Sequence, residues 1–182
     1  MALEREHQDE VIEQITGQLM RRYSTAAVLF HHAVAERLGL GPTDHKCLDL
    51  LRERGVMTGS ALAAITGLTS GAITGVVNRL EQAGFLRREP DSHDRRKQLL
   101  HPVPEHVRDL HDIFAPMRDD IAARLKGFDA HQLAAIAQFL EGSTDNIYQR
   151  VALLRAQSLM HATTRSPLAG DEVALNGGDS HD

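Results

Sequence analysis

Asp94-Arg95-Arg96-Lys97 places one carboxylate and three cations in a row, directly after the turn formers Pro90, Asp91, Ser92 and His93. Adjacent cations on a loop attract phosphate, and an arginine so placed enters the narrow minor groove of DNA, where the potential is most negative. Asp94 is expected to orient a neighbouring guanidinium by charge-assisted pairing. The bland reading is a solvated turn whose charges only prevent edge association. Upstream, Ser70, Gly71, Thr74, Gly75 and Asn78 share one side of a helical wheel, between 0° and about 140°, whereas Ile73, Val76, Val77 and Leu80 lie on the other, between about 240° and 340°. The first face is small and polar, with no acid in its first turns. It can approach a groove closely, and its hydroxyls and amide can bond base edges or phosphates.

The charge distribution agrees. The chain has 182 residues, with 20 Lys+Arg, 25 Asp+Glu and a net charge of -5. Between Arg52 and His101, eight basic residues oppose five acidic ones, a net +3, while the remainder carries 12 against 20, a net -8. A basic segment inside an acidic chain fits one polyanion-facing surface and excludes a uniformly basic coat. With 42% hydrophobic residues, the chain has the composition of one core, not of a collagenous or wholly disordered protein.

Other chemistries find less support. There is no nucleophile-base motif, no phosphate-cradling G-x-x-x-x-G-K-[ST], no dinucleotide fingerprint and no H-E-x-x-H, so an enzyme is not expected and no cofactor is assigned. Cys47 is the single cysteine. It excludes an intrachain disulfide and, with the acidic start MALEREHQDE, leads to the expectation of a cytoplasmic protein. Lying in an apolar stripe with Leu48, Leu50 and Leu51, its thiol is expected to pack and not to sense oxidants. Among the 11 histidines, His31, His32, His45, His106 and His111 are candidates to meet. His106 and His111, however, point about 140° apart on a helix, and no metal site is assigned.

These residues need elements to hold them. Apolar residues from Val11 to Leu38 keep steps of three and four, so Leu3 to Leu38 is predicted as one long amphipathic helix, ended by Gly39, Gly41 and Pro42. Short helices are predicted over Thr43 to Arg54 and Ser60 to Thr66, and a fourth helix over Ser70 to Ala83. The turn Gly67-Leu68-Thr69 joins the last two as a helix-turn-helix. Gly55 to Asn78 runs 24 residues without a charge, but five glycines and seven Ser, Thr or Asn residues leave too little transfer energy for a membrane span. Phe85 to Val103 reads as a β-hairpin with a charged tip. Helical periodicity returns over Glu105 to Leu125 and Ala130 to Met160, where Leu133, Ile136, Leu140, Ile147, Val151 and Leu154 form a near-heptad seam. The tail from His161 is expected to be disordered.

The fold expected is therefore mainly α with a small β-hairpin wing. Residues 1–40 form an N-terminal dimerisation helix, 41–104 a winged helix-turn-helix DNA-binding domain, 105–160 C-terminal dimerisation helices and 161–182 a disordered tail. Long terminal helices carry more apolar surface than one small core can cover, so a homodimer is expected.

In this order, and in GLTSGAITGVVNRLEQAGFLRR and DSHDRRKQLLHPV, the chain resembles the MarR family of winged helix-turn-helix regulators over roughly residues 8–160. The D-x-R core, Asp94-Arg95-Arg96, and the run from Asn78 to Phe85 carry the resemblance most specifically. It implies a dimer with two recognition helices in successive major grooves of a palindromic double-stranded operator and two wings in the flanking minor grooves. Ser70, Gly71, Thr74, Asn78 and Arg79 then match the recognition helix, and Arg95, Arg96 and Lys97 lie on the wing. Many relatives carry a longer polar or basic side chain where this chain has Gly75. The resemblance further implies a repressor responding to a small aromatic or anionic effector, for which Tyr23, Phe30, His31, His32 and Cys47 are the available liners. A competing reading is a dimeric protein-interaction or small-molecule-binding module whose winged fold does not read DNA.

Overall fold

A computed structural model of the chain describes residues 2–164. They fall into two compact units divided between Arg124 and Leu125.

In the first unit, Ala2–Gln14 (α1) and Met20–Arg37 (α2) are joined by one π turn, Ile15–Leu19. The single helix expected from Leu3 to Leu38 is thus interrupted. Its local cause is legible: the Thr16 hydroxyl donates to the Ile12 carbonyl at 2.9 Å, beside Gly17, a poor helix former. Pro42–Arg54 (α3) starts with proline in its first turn and buries Cys47, Leu48, Leu50 and Leu51.

A two-residue strand, Met57–Thr58 (β1), precedes Gly59–Thr66 (α4), whose N-cap Thr58 accepts a hydrogen bond from the Ala61 amide at 3.1 Å. Gly67, at φ +71°, closes α4 in the left-handed conformation that glycine adopts without a Cβ clash. Thr69 then caps Ser70–Gln82 (α5), accepting from the Ala72 amide at 3.2 Å. The axes of α4 and α5 meet at 115°, within the usual helix-turn-helix range. This bend accounts for the uncharged stretch, and no single helix among the described residues is long and apolar enough to cross a membrane.

Gly84, at φ +79°, turns the chain from α5 into Leu86–Pro90 (β2), which pairs antiparallel with Gln98–Pro102 (β3). The hairpin expected over Phe85 to Val103 is present. Sequence reading missed β1, which adds to β3 through Met57 opposite Leu100 and gives the sheet order β1-β3-β2. Two residues are too short to show alternation. The core gathers Leu48 and Leu51 of α3, Leu62 of α4, Ile73, Val76, Val77 and Leu80 of α5, and Leu86 and Leu100 of the sheet. Pro104–Leu125 (α6) adds Leu110.

The second unit carries Ala130–Thr164 (α7). A capping box starts it: the Gln132 amide donates to Asp129 Oδ1 at 2.9 Å, and the Asp129 amide donates to Gln132 Oε1 at 3.0 Å. None of the described side chains of α7 is buried. The helix runs to Thr164, so residues 161–164, expected to be disordered, are helical. The rest of that expectation, for 165–182, lies outside the described residues.

Candidate nucleic-acid interface

Burial fixes which way α5 faces. Ile73, Val76, Val77 and Leu80 are buried, as the helical wheel requires, and each contributes about 1.5–3 kcal/mol of apolar burial that holds the helix against the core. Ser70, Gly71, Thr74 and Asn78 consequently face outward and are exposed. The Thr74 hydroxyl donates to the Ser70 carbonyl at 2.8 Å. It therefore presents a methyl group and acceptor lone pairs outward.

Two further residues of this helix are tied to neighbours. Asn78 Oδ1 accepts from Arg88 Nη2 of β2, and Arg88 Nε lies 3.3 Å from Glu81 Oε2. That leaves the two amide N–H donors of Asn78 as its main outward capacity, suited to acceptors such as guanine O6 and N7 or phosphate oxygen. Arg79 turns back toward α3: its Nε donates to Asp44 Oδ2 at 2.8 Å and its Nη2 to Asp44 Oδ1 at 2.7 Å. The guanidinium that matches the recognition-helix pattern is thus committed to a carboxylate of its own chain. A Cβ on Gly75 would stand 3.2 Å from Arg79 Nη1, so the small residue leaves that guanidinium its room.

At the wing tip, Asp91 Oδ1 accepts from the amides of His93 at 2.7 Å and Asp94 at 3.0 Å. These bonds hold the Asp91 carboxyl below its ordinary pKa and shape the turn. The Asp91 amide donates to the Lys97 carbonyl at 3.0 Å, and the Lys97 amide to the Asp94 carbonyl at 2.8 Å, closing the loop. Asp94 differs from expectation. Its Oδ1 accepts from the Arg96 amide at 3.1 Å and its Oδ2 lies 3.8 Å from Lys97 Nζ, so it builds the turn through the backbone and orients no guanidinium.

Ion pairs then sort the basic segment. Arg52 neighbours Asp49, Arg54 Glu53, Arg79 Asp44, Arg87 Glu89, Arg88 Glu81 and Lys97 Asp94. Arg95 and Arg96 are exposed and have no ion pair among the described residues. The uncompensated positive charge of the segment therefore sits at the tip of the wing.

The other candidates separate. Cys47 is 1% exposed, and burial with Asp44 nearby pushes its thiol up to about 11. Tyr23 and His32 are exposed, and His111 bonds Arg118 on its own helix, so these do not gather. Phe30 and His31 do: both rings pack against Phe114, at 5.2 and 5.7 Å between centroids. His31 also meets His45, Nδ1 to Nε2 at 3.2 Å, with Asp49 Oδ2 at 3.2 Å from His31 Nδ1. Of the histidines named as candidates to meet, His31 and His45 do so, because the packing of α2 on α3 joins residues that are not periodic neighbours. Asp49 was overlooked although it is one helical turn from His45.

A capped helix-turn-helix, an outward polar helix face and a cationic hairpin tip together define a winged helix-turn-helix DNA-binding regulator. The model of the MarR family matches residues 40–97. The uncharacterized HTH-type transcriptional regulator YcgE of Bacillus subtilis is 35% identical over 144 residues, which cover 79% of this chain and 94% of YcgE. Two solved structures share the fold. A MarR family protein from Bacillus stearothermophilus has a TM-score of 0.57 at 18% identity, over 76% of this chain and 96% of its own. Transcriptional regulator Tm0710 from Thermotoga maritima has a TM-score of 0.55 at 19% identity, over 76% and 98% respectively. The chain belongs to the MarR family of transcriptional regulators, which are non-enzymatic DNA-binding proteins.

Proposed function

We propose that this regulator is a cytoplasmic homodimeric repressor that occupies a palindromic operator and is modulated by a small aromatic or anionic effector. Ser70, Gly71, Thr74 and Asn78 face the bases of the major groove. Arg95 and Arg96, flanked by Lys97, enter the adjoining minor groove. Arg79 braces the recognition helix and is not a phosphate ligand. The observation that carries this reading is the sorting of charge: every other cation of the basic segment neighbours a carboxylate, and the two arginines at the wing tip have no such neighbour among the described residues.

The dimer reading is supported by α7. At about 1.5 Å per residue this helix is roughly 50 Å long, and Leu140, Ile147 and Leu154 of its seam are each more than half exposed. A helix with so little burial is not stabilised by its own chain, and its apolar stripe calls for a second copy. Residues 1–40 and 105–160 are assigned to that assembly and 41–104 to DNA.

Selection of bound sequences from a random duplex pool, using the full chain, tests the reading. A two-fold symmetric motif is the expected result. No enrichment, together with no salt-dependent binding to bulk DNA, would establish instead the module that does not read DNA.

A further inference from the structure

We propose that His31, His45 and Asp49 form a binding site for one divalent transition-metal ion of the zinc class, held between α2 and α3. The proposal is independent of how the protein reads DNA.

Three ligand atoms converge: His31 Nδ1, His45 Nε2 and Asp49 Oδ2 all lie within 4.8 Å of one another. Their separations are 3.2 Å between the two nitrogens, 3.2 Å from His31 to Asp49 and 3.8 Å from His45 to Asp49. Atoms so spaced leave a point about 2.0–2.1 Å from each, which is the bond length zinc makes to imidazole and carboxylate. Two imidazoles and one carboxylate are also a common protein ligand set of a zinc site that keeps a fourth position open.

Protons serve this triangle poorly. A single proton between the rings, or between one ring and Asp49, leaves at least one edge with two lone pairs facing each other. With a proton on both inward nitrogens, both can donate to Asp49, but the nitrogens then face each other at 3.2 Å with no bond between them. A cation at the centre satisfies all three atoms at once.

The surroundings hold the ligands in place. His45 is 1% exposed, and the ring of Phe114 packs 5.7 Å from that of His31. Two cations already attend Asp49: Lys46 Nζ at 3.3 Å from Oδ2 and Arg52 Nη1 at 3.7 Å from Oδ1. Lys46 is largely exposed and has to swing off Oδ2 when the ion enters, whereas Arg52 can stay on the other oxygen and orient the carboxylate.

The test is titration of the full chain with Co²⁺ alone, followed by Zn²⁺. The expected result is one Co²⁺ per chain with the intense visible absorption of a tetrahedral site, bleached by Zn²⁺. His31→Ala and Asp49→Asn each weaken Co²⁺ binding by about 100-fold or more, since loss of a ligand exceeds the ~10–100-fold cost of losing an outer partner. Both residues are only partly buried, and a thermal melt verifies that each variant is folded. His111→Ala leaves the titration unchanged. Absence of the tetrahedral absorption in the parent, parent-like affinity in the two ligand variants, or loss of the signal in His111→Ala overturns the proposal.

Discussion

Arg79 on α5 grips Asp44 on α3 with two prongs, Nε to Oδ2 at 2.8 Å and Nη2 to Oδ1 at 2.7 Å. Asp44 is 4% exposed, so its lost hydration is offset chiefly by this fork. The hydrogen bonds to Asp44 also hold the Arg79 guanidinium above its ordinary pKa. The pair sets the pitch of the recognition helix against the helix in front of it.

Removing the fork should therefore damage the fold before it damages any phosphate contact. Arg79→Ala is expected to destabilise the fold, by less than the loss of one partner from a fully buried pair because the arginine is largely exposed. Arg79→Lys recovers little, since an ammonium cannot match the two-pronged geometry. Urea unfolding measures the stability. Fluorescence-anisotropy titrations at three salt concentrations should show weaker DNA binding with an unchanged slope. A slope flattened by ~0.9 would show that Arg79 neutralises a phosphate after all.

The wing and the recognition helix should fail in different ways. Arg96→Ala or Arg95→Ala removes an unpaired charge, so binding weakens on operator and scrambled duplexes alike and the dependence of log K on log salt flattens by ~0.9 per lost phosphate contact. Thr74→Ala and Asn78→Ala remove no charge. Each is expected to cost ~1–3 kcal/mol on the operator, little on scrambled DNA, and to leave the slope alone. Equal losses on both duplexes with equal slope changes would mean recognition by shape and charge only.

For Cys47, the thiol pushed up to about 11 leaves about one molecule in a thousand as thiolate at pH 8. Modification by a soluble disulfide reagent should proceed only as fast as the protein opens, and accelerate in denaturant. Cys47→Ser should cost ~1–2 kcal/mol by placing a hydroxyl in an apolar site, with DNA binding unaffected by peroxide in parent and variant. Operator release by peroxide in the parent alone would contradict this.

Assembly should depend on the exposed stripes of the terminal helices. Truncation before Val11 and after Leu140 is expected to abolish the dimer and expose apolar surface, visible as aggregation or dye binding. Sedimentation of the truncated chain as a soluble, stable monomer would dissociate the long helices from dimerisation.

Much of the site was readable because its determinants are local. The faces of the recognition helix follow from residues three and four apart, and the core accepts the face that the pattern marks apolar. Gly67 in the turn and the Asp/Ser/His run of the wing tip are likewise short-range. Where the local signal was weak, the reading failed. Met57 and Thr58 are too few to show alternation, and the π turn at Ile15–Leu19 comes from a side-chain bond inside an otherwise regular stripe.

The sequence by itself determined which segments are helix, turn and hairpin, and which face of the α5 segment is buried, because periodicity and turn chemistry act within a few residues. Tertiary structure alone decided where the charges go. Arg79, which matches the recognition-helix pattern, is set by packing against Asp44, 35 residues away in the chain, and Asp94, expected to orient an arginine, is bound by the turn to a backbone amide. His31 and His45 become neighbours only where α2 lies on α3. Side-chain pairing across such separations depends on how elements pack, and no spacing rule in one segment encodes it.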